Sequence, residues 1–448
     1  MNDGQAQTRH LKKFMKDNIN MSQTTHAGTT PVHKHLPLFQ HSFATVTTIA
    51  GLLLLVAVCR CSSPPKANSN PTEKWVGTWG TALQLVEPRN LPPDPGLSNN
   101  TLRQIVCVSI GGSRLRVRFS NEFGTSPVTL DAVHIAVPAD SCIIIPSTDK
   151  ALSFDGKPGV TIAAGSAVTS DPFNFTLKPR GLLAITIHFG DTSPDVTGHP
   201  GSRTTSYLLP GNQVASVGFS GALTADHWYI ISDIDVDAPD SAAALVVLGN
   251  SITDGRGSGT NKQDRWPDEL AIRLQQNPGT QQVAVLNMGI GGNCVLRDCL
   301  GPAALIRFES DVIEQAGVRW LIILEGINDI GQVRGERWAT LVAYNLIAAY
   351  KQMIDRAHAK GIRVYGATMT PFGGSFYDSP ERQTAWKQVN DWIRTSGRFD
   401  AVIDLDAALR DPAHPLQLLP ADDSGDHLHP SEAGHRAMAK AVDLTLFQ

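Results

Sequence analysis

Cysteine is scarce in this chain, basic charge is not concentrated anywhere, and no internal repeat runs through it. The 448 residues hold six cysteines, and none sits in a Cys-x-x-Cys pair or a Cys/His cluster with zinc spacing. A net charge of −4 leaves no basic face of the kind that tracks phosphates, which argues against a nucleic-acid partner. The stretch Gly255-Arg256-Gly257-Ser258-Gly259 lacks the G-x-G-x-x-G spacing of a dinucleotide loop, and no acidic residue closes the second strand candidate of the C-terminal half. The G-x-S-x-G elbow is missing too, because Thr253 stands where its second glycine belongs.

What is present divides the chain. At this length one core is not expected, and two domains plus a tail follow. Residues 1–42 form a polar tail. An uncharged run of about 17 residues, Phe43 to Cys59, follows it and is barely long enough to span a bilayer. Basic residues upstream and the Ser/Pro/Asn-rich linker 60–74 downstream give this run the look of an export signal or a single N-terminal anchor. The expected location is therefore periplasmic, extracellular or membrane-anchored, with membrane contact only through that segment.

Residues 75–238 read as β. Short alternating runs such as Arg114 to Phe119 and Leu182 to Phe189 are punctuated by Gly, Pro, Asn and Asp, which predicts a β-sandwich or jelly-roll-like domain. Residues 239–448 change pattern. Continuous apolar runs (Ala243 to Gly249, Val283 to Gly289, Trp320 to Gly326, Arg363 to Met369, Asp400 to Asp406) alternate with helix candidates such as Trp266 to Gln276 and Ala339 to Lys360. Strands apolar on both faces belong to a parallel sheet covered by helices, so an α/β three-layer open sandwich is predicted. Ligands of such sheets sit at the carboxyl ends of the strands.

The strand ends carry the polar residues. The first run leads into Asn250-Ser251, the second into Gly289-Ile290-Gly291-Gly292-Asn293, the third into Glu325-Gly326-Ile327-Asn328-Asp329, and Asp426-His427-Leu428-His429-Pro430 follows the fifth. Each alone is weak: a serine after a strand is usually a helix cap, and a lone asparagine usually closes a turn. Together they hold the parts that acyl transfer needs. A serine hydroxyl requires a base, the base requires a partner that fixes its tautomer, and the developing oxyanion requires N–H donors.

These blocks, in this order, resemble those of the SGNH (GDSL-like) hydrolases over roughly residues 240–448. The resemblance implies Ser251 as nucleophile, His429 as general base with Asp426 as its partner, and an oxyanion hole of the Ser251 N–H, the Gly292 N–H and the Asn328 amide. The family's Asp-x-x-His pattern selects His429 over His427, which an extended loop would point the same way. The usual Gly-Asp-Ser is Gly249-Asn250-Ser251 here, and Asn250 can still accept a hydrogen bond. The opening Trp75-Val76-Gly77-Thr78-Trp79 of the β part is similar to the extra domain of a secreted bacterial subgroup. The implied activity is a serine esterase acting on carboxylic esters, acetyl or other short acyl groups on carbohydrate foremost, with acetylated polysaccharide as the substrate partner and no cofactor or metal. A lipase or lysophospholipase is the runner-up; an inactive carbohydrate-binding protein and a nucleotide-dependent enzyme are the rivals from other classes. Cys294 and Cys299 are five apart and fit either a small disulfide or two packed thiols; in an exported chain the disulfide is expected. Asp264 to Pro267 and His435 are expected to cap or pack.

Overall fold

In the computed structural model, residues 73–448 are described. The tail, the Phe43 to Cys59 segment and nearly all of the 60–74 linker lie outside the described residues. Among the described residues, no helix is long and apolar enough to cross a membrane.

The antiparallel region begins with β1 (Trp75–Gly80), followed by β2 (Asn100–Cys107), β3 (Gly112–Asn121), β4 (Val128–Ala136), β5 (Leu182–Phe189) and β6 (Ile231–Asp237). In one sheet β6 lies between β1 and β3, and in another β5 lies between β2 and β4. Alternation explains the pairing of faces. In β3, Leu115, Val117 and Phe119 are buried while Arg114, Arg116 and Arg118 point outward, as a period of two requires. The inward set meets Val106, Val133 and Ile185 of the other sheet in one core. Phe119 packs edge-on to Phe154, with ring centroids 5.7 Å apart.

The parallel sheet has strands β7 (Ala243–Gly249), β8 (Val283–Gly289), β9 (Val318–Leu324), β10 (Arg363–Ala367) and β11 (Ala401–Ile403), in the order β8-β7-β9-β10-β11. Every residue of β7 is buried, the burial that its unbroken Ala-Ala-Leu-Val-Val-Leu run demands. Helices α1 (Ser251–Asp254), α2 (Trp266–Gln276), α3 (Glu336–His358), α4 (Pro380–Thr395) and α5 (Glu432–Ala441) connect and cover it. Because the first strand in sequence lies second in the sheet, the order reverses beside β7, and its carboxyl end is where a ligand crevice is expected.

Some boundaries differ from the sequence reading. Asp400 to Asp406 gives a strand of three residues, because Asp404 caps a following short helix by accepting from Ala407 N. The third strand stops at Leu324: Gly326 adopts φ 103°, and a Cβ there would stand 2.8 Å from the Tyr350 hydroxyl.

The described residues, 73–448, fall within one compact unit. The antiparallel region lies against edge strand β8: Thr81 bridges Asn287, Val285 N donates to Ser109 Oγ at 3.0 Å, and Gly77 leaves room for Leu286. One hydrophobic cluster runs from Phe119 through Val76 to Leu286 and Leu248.

Candidate active site

Ser251 follows β7 at the first position of α1. Asn250 caps this helix, its Oδ1 accepting from Ile252 N at 3.1 Å, and its Nδ2 donates to Glu325 Oε2 at 3.2 Å. The Asn250 amide thus serves two neighbours where a carboxylate could only accept. Glu325 is buried; desolvation lifts its carboxyl to about 8, against the opposing pull of Arg307, whose Nη2 lies 3.5 Å from Oε1.

His429 stands in the loop before α5. Ser424 N donates to His429 O, and Ser431 caps α5 by accepting from Gly434 N, so the loop is tied at both ends. Ser251 Oγ lies 2.8 Å from His429 Nε2, and His429 Nδ1 lies 2.7 Å from Asp426 Oδ2. A carboxylate only accepts, so Nδ1 carries the proton and Nε2 is free to accept from the serine hydroxyl. Asp426 Oδ1 also accepts from the backbone N–H groups of Leu428 and His429. Partial burial pushes Asp426 upward, but the His429 N–H and imidazole outweigh it and hold the carboxyl at about 2. Burial lowers the His429 pKa below its ordinary value, against the attraction of Asp426. Only 7% of the residue's surface reaches solvent, which disfavours the charged imidazolium.

His427 does not share that direction. The loop is not extended there: His427 has φ 61°, is exposed, and pairs through Nδ1 with Asp423 Oδ2 at 2.6 Å.

Gly292 has φ 72°, and a Cβ on it would stand 2.8 Å from Leu300. Among the described residues, the N–H groups of Ser251 and Gly292 have no protein acceptor. Asn328 sits on the short helix after Gly326. Its Nδ2 donates to Asn293 O at 2.7 Å, and its Oδ1 accepts from Tyr377 Oη at 3.1 Å, which sets the amide's orientation and leaves its second N–H unspent. The loop after Gly292 is closed by a Cys294–Cys299 disulfide and braced by Asp329, which accepts from Val295 N and Leu296 N. Ser251, Gly292, Asn328 and His429 line one open cleft of about 280 Å³.

The sequence reading missed part of this cleft. Gln84, Glu87, Arg89 and Arg203 of the antiparallel region also line it, as does Asp254, one helical turn after Ser251. Asp254 carried the only local signal, an acid three residues from the serine on a helix. His435 is buried: it accepts from Trp266 N, donates to Arg256 O, and desolvation lowers it to about 4, so it packs as a neutral ring. Asp264 accepts from Gly259 N. No group of three or more His, Cys, Asp or Glu side chains is arranged to hold a metal among the described residues.

A parallel sheet with Ser251 after its first strand, Asn328 after its third and an Asp-x-x-His loop beyond its last defines the SGNH class of hydrolases. Comparison with known proteins agrees. Residues 247–437 match the model of the GDSL-like lipase/acylhydrolase family. An acetylxylan esterase of Geobacillus stearothermophilus is 28% identical over 218 residues, which are 45% of this chain and 92% of that protein. A solved structure of an acetylxylan esterase from the same organism aligns at 23% identity and TM-score 0.34, covering 45% of this chain and 94% of the other. A GDSL-like lipase from Bacteroides thetaiotaomicron aligns at 18% identity and TM-score 0.34, covering 46% and 87%. The chain is a carboxylic ester hydrolase of the SGNH/GDSL type.

Proposed function

We propose that the chain hydrolyses short acyl esters of carbohydrate through an acyl-enzyme on Ser251. The observation that carries this reading is the hydrogen-bonded series Ser251 Oγ, His429, Asp426 at the end of β7. His429 takes the hydroxyl proton through Nε2 as Ser251 attacks the ester carbonyl, and Asp426 steadies the imidazolium that forms. The N–H groups of Ser251 and Gly292 and the second amide hydrogen of Asn328 receive the oxyanion. His429 then protonates the leaving alcohol. Water attacks the acyl-enzyme by the same route, with His429 again as base, and releases the acid.

The carbohydrate half of the proposal draws on the acetylxylan esterase relative and on the charged side of the cleft. Export, read from the segment Phe43 to Cys59, would place the enzyme where acylated polysaccharide is found. The test is Ser251→Ala together with an organophosphonate. Wild type should hydrolyse p-nitrophenyl acetate and take up one phosphonate per chain, and the folded variant should do neither. Turnover close to wild type in a folded Ser251→Ala protein would remove the assignment.

A further inference from the structure

The groups proposed to receive the oxyanion lie just beyond the ends of β7, β8 and β9, and one buried side chain reaches all three ends. Arg307 stands on the short helix Ala304–Phe308, behind the cleft and 4% exposed. Its Nη2 donates to Gly249 O at 3.0 Å, at the end of β7 and two residues before Ser251. Its Nη1 donates to Met288 O at 2.8 Å, near the end of β8. The same Nη2 lies 3.5 Å from Oε1 of Glu325, the residue that follows β9.

Its widest contact is with Asn293, the neighbour of Gly292. Asn293 Oδ1 accepts from Arg307 Nε at 3.1 Å and from Nη2 at 3.0 Å, and Nη1 also donates to Asp311 Oδ2 at 2.7 Å. These bonds occupy all five N–H groups of the guanidinium. Asn293 is fully buried and equally committed. Its Nδ2 donates to Leu300 O at 2.9 Å and to Pro302 O at 2.8 Å, and its backbone O accepts from Asn328 Nδ2 at 2.7 Å. Contacts therefore run from the guanidinium through Asn293 to Gly292 on one side and Asn328 on the other. Burying a guanidinium is costly unless its charge and donors are met, and here Asp311 and four oxygen-bearing partners meet them. A lysine ends in a single point and cannot span Gly249, Met288 and Asn293 together.

We propose that Arg307 is a positioning residue for the oxyanion hole: its fork fixes the Ser251 N–H, the Gly292 N–H and the Asn328 amide relative to one another. It touches no reacting atom and acts through Gly249 and Asn293. Oxyanion donors are effective only at hydrogen-bond distance from the place where the charge develops, so a shift of about 1 Å in one of them is costly. Two of the three donors are backbone groups, which no side chain of their own can aim. Gly292 in particular, at φ 72°, depends on its neighbours for its direction. This inference rests on the esterase reading above and adds the residue that keeps its donors in register.

The experiment measures kcat and KM for p-nitrophenyl acetate, and the inhibition constant of a trifluoromethyl ketone that adds to Ser251. The proteins are wild type, Arg307→Lys, Arg307→Met and Asn293→Ala, with thermal unfolding recorded for each. Arg307→Lys should lower kcat about thirtyfold while KM stays within threefold, and should weaken the ketone, whose adduct carries an oxyanion, by a similar factor. Arg307→Met should lose at least as much. In an Asn328→Ala background the further loss from Arg307→Lys should shrink to less than tenfold, because both changes act on the same hole. Folded variants that keep kcat and ketone affinity while only Tm falls overturn the proposal, as does an undiminished loss in the Asn328→Ala background. If neither Arg307 variant folds, Asn293→Ala decides, with the same split between kcat and KM expected. Turnover close to wild type in a folded Ser251→Ala protein is a separate outcome, one that removes the esterase mechanism and this inference with it.

Discussion

The antiparallel and parallel regions bury apolar surface in different ways, and the difference divides their work. In β3 every second residue faces the core, so half the strand remains for charged side chains such as Arg114, Arg116 and Arg118. In β7 all seven residues are buried, and polar groups can appear only where the strand ends. The parallel region therefore gathers the groups proposed for catalysis at one edge, at Ser251, the Gly292 N–H, Asn328 and the 426–429 loop. The antiparallel region has polar positions to spare and supplies Glu87, Arg89 and Arg203 to the cleft. On the proposed mechanism, chemistry is drawn from one region and much of the polar lining of the cleft from the other.

That division can be broken by substitution. The largest effect should come from the 426–429 loop. His429→Ala is expected to lower kcat/KM by about 10⁴, whereas His427→Ala, which loses only an exposed pair with Asp423, should change it less than threefold. If His427→Ala is the more damaging, the base has been assigned to the wrong ring. The same loop sets the acid limb of the wild-type rate. The base must be neutral to act and burial lowers its pKa, so the limb should have its midpoint below about 6.5 in a kcat/KM against pH profile.

Asn328→Ala should come next, with a loss of about 10²–10³ in kcat and little change in KM, because the oxyanion exists only near the transition state. A change confined to KM would speak for ground-state binding instead. A substitution deep in the antiparallel core should behave in the opposite way. Phe119→Ala is expected to cost about 3 kcal/mol in denaturant unfolding while kcat on p-nitrophenyl acetate stays within twofold at a temperature where the protein is folded. A matching fall in kcat would show that the two regions are not separable in this sense.

The smallest effect concerns Glu325, beneath the nucleophile turn. Its folded pKa of about 8 is above the ordinary carboxyl value, so the fold favours the protonated form. That contribution is complete below about pH 4.3 and is lost as pH rises through 8. Glu325→Gln keeps an acceptor for Asn250 and Gly326 and should flatten that decline between pH 5 and 9. Equal pH slopes for variant and wild type in unfolding experiments would count against it.

Much of this was legible in the residues themselves. The runs Ala243 to Gly249 and Val283 to Gly289 and the helix Trp266 to Gln276 have the same limits in sequence and structure, because burial on both faces and the helical period are local properties of a chain. The short strand Ala401–Ile403 was overestimated, since the Asp404 cap reads in sequence as one more residue of an apolar run. The choice between bridge and thiols at Cys294 and Cys299 stayed open, because spacing alone does not say how two side chains face each other.

By itself the sequence determined which side chains end the parallel strands, since periodicity and turn residues set where each strand stops. Only the tertiary structure decided what faces them. Asp254 and His199 are 55 residues apart, Asn250 and Glu325 are 75 apart, and both pairs form only when separate elements come together. The polar side of the cleft exists because the antiparallel region lies along β8, and that contact depends on shape: on Gly77 admitting Leu286 and on Ser109 meeting Val285. No local pattern encodes it, because each partner looks like an ordinary strand or turn residue until the other arrives.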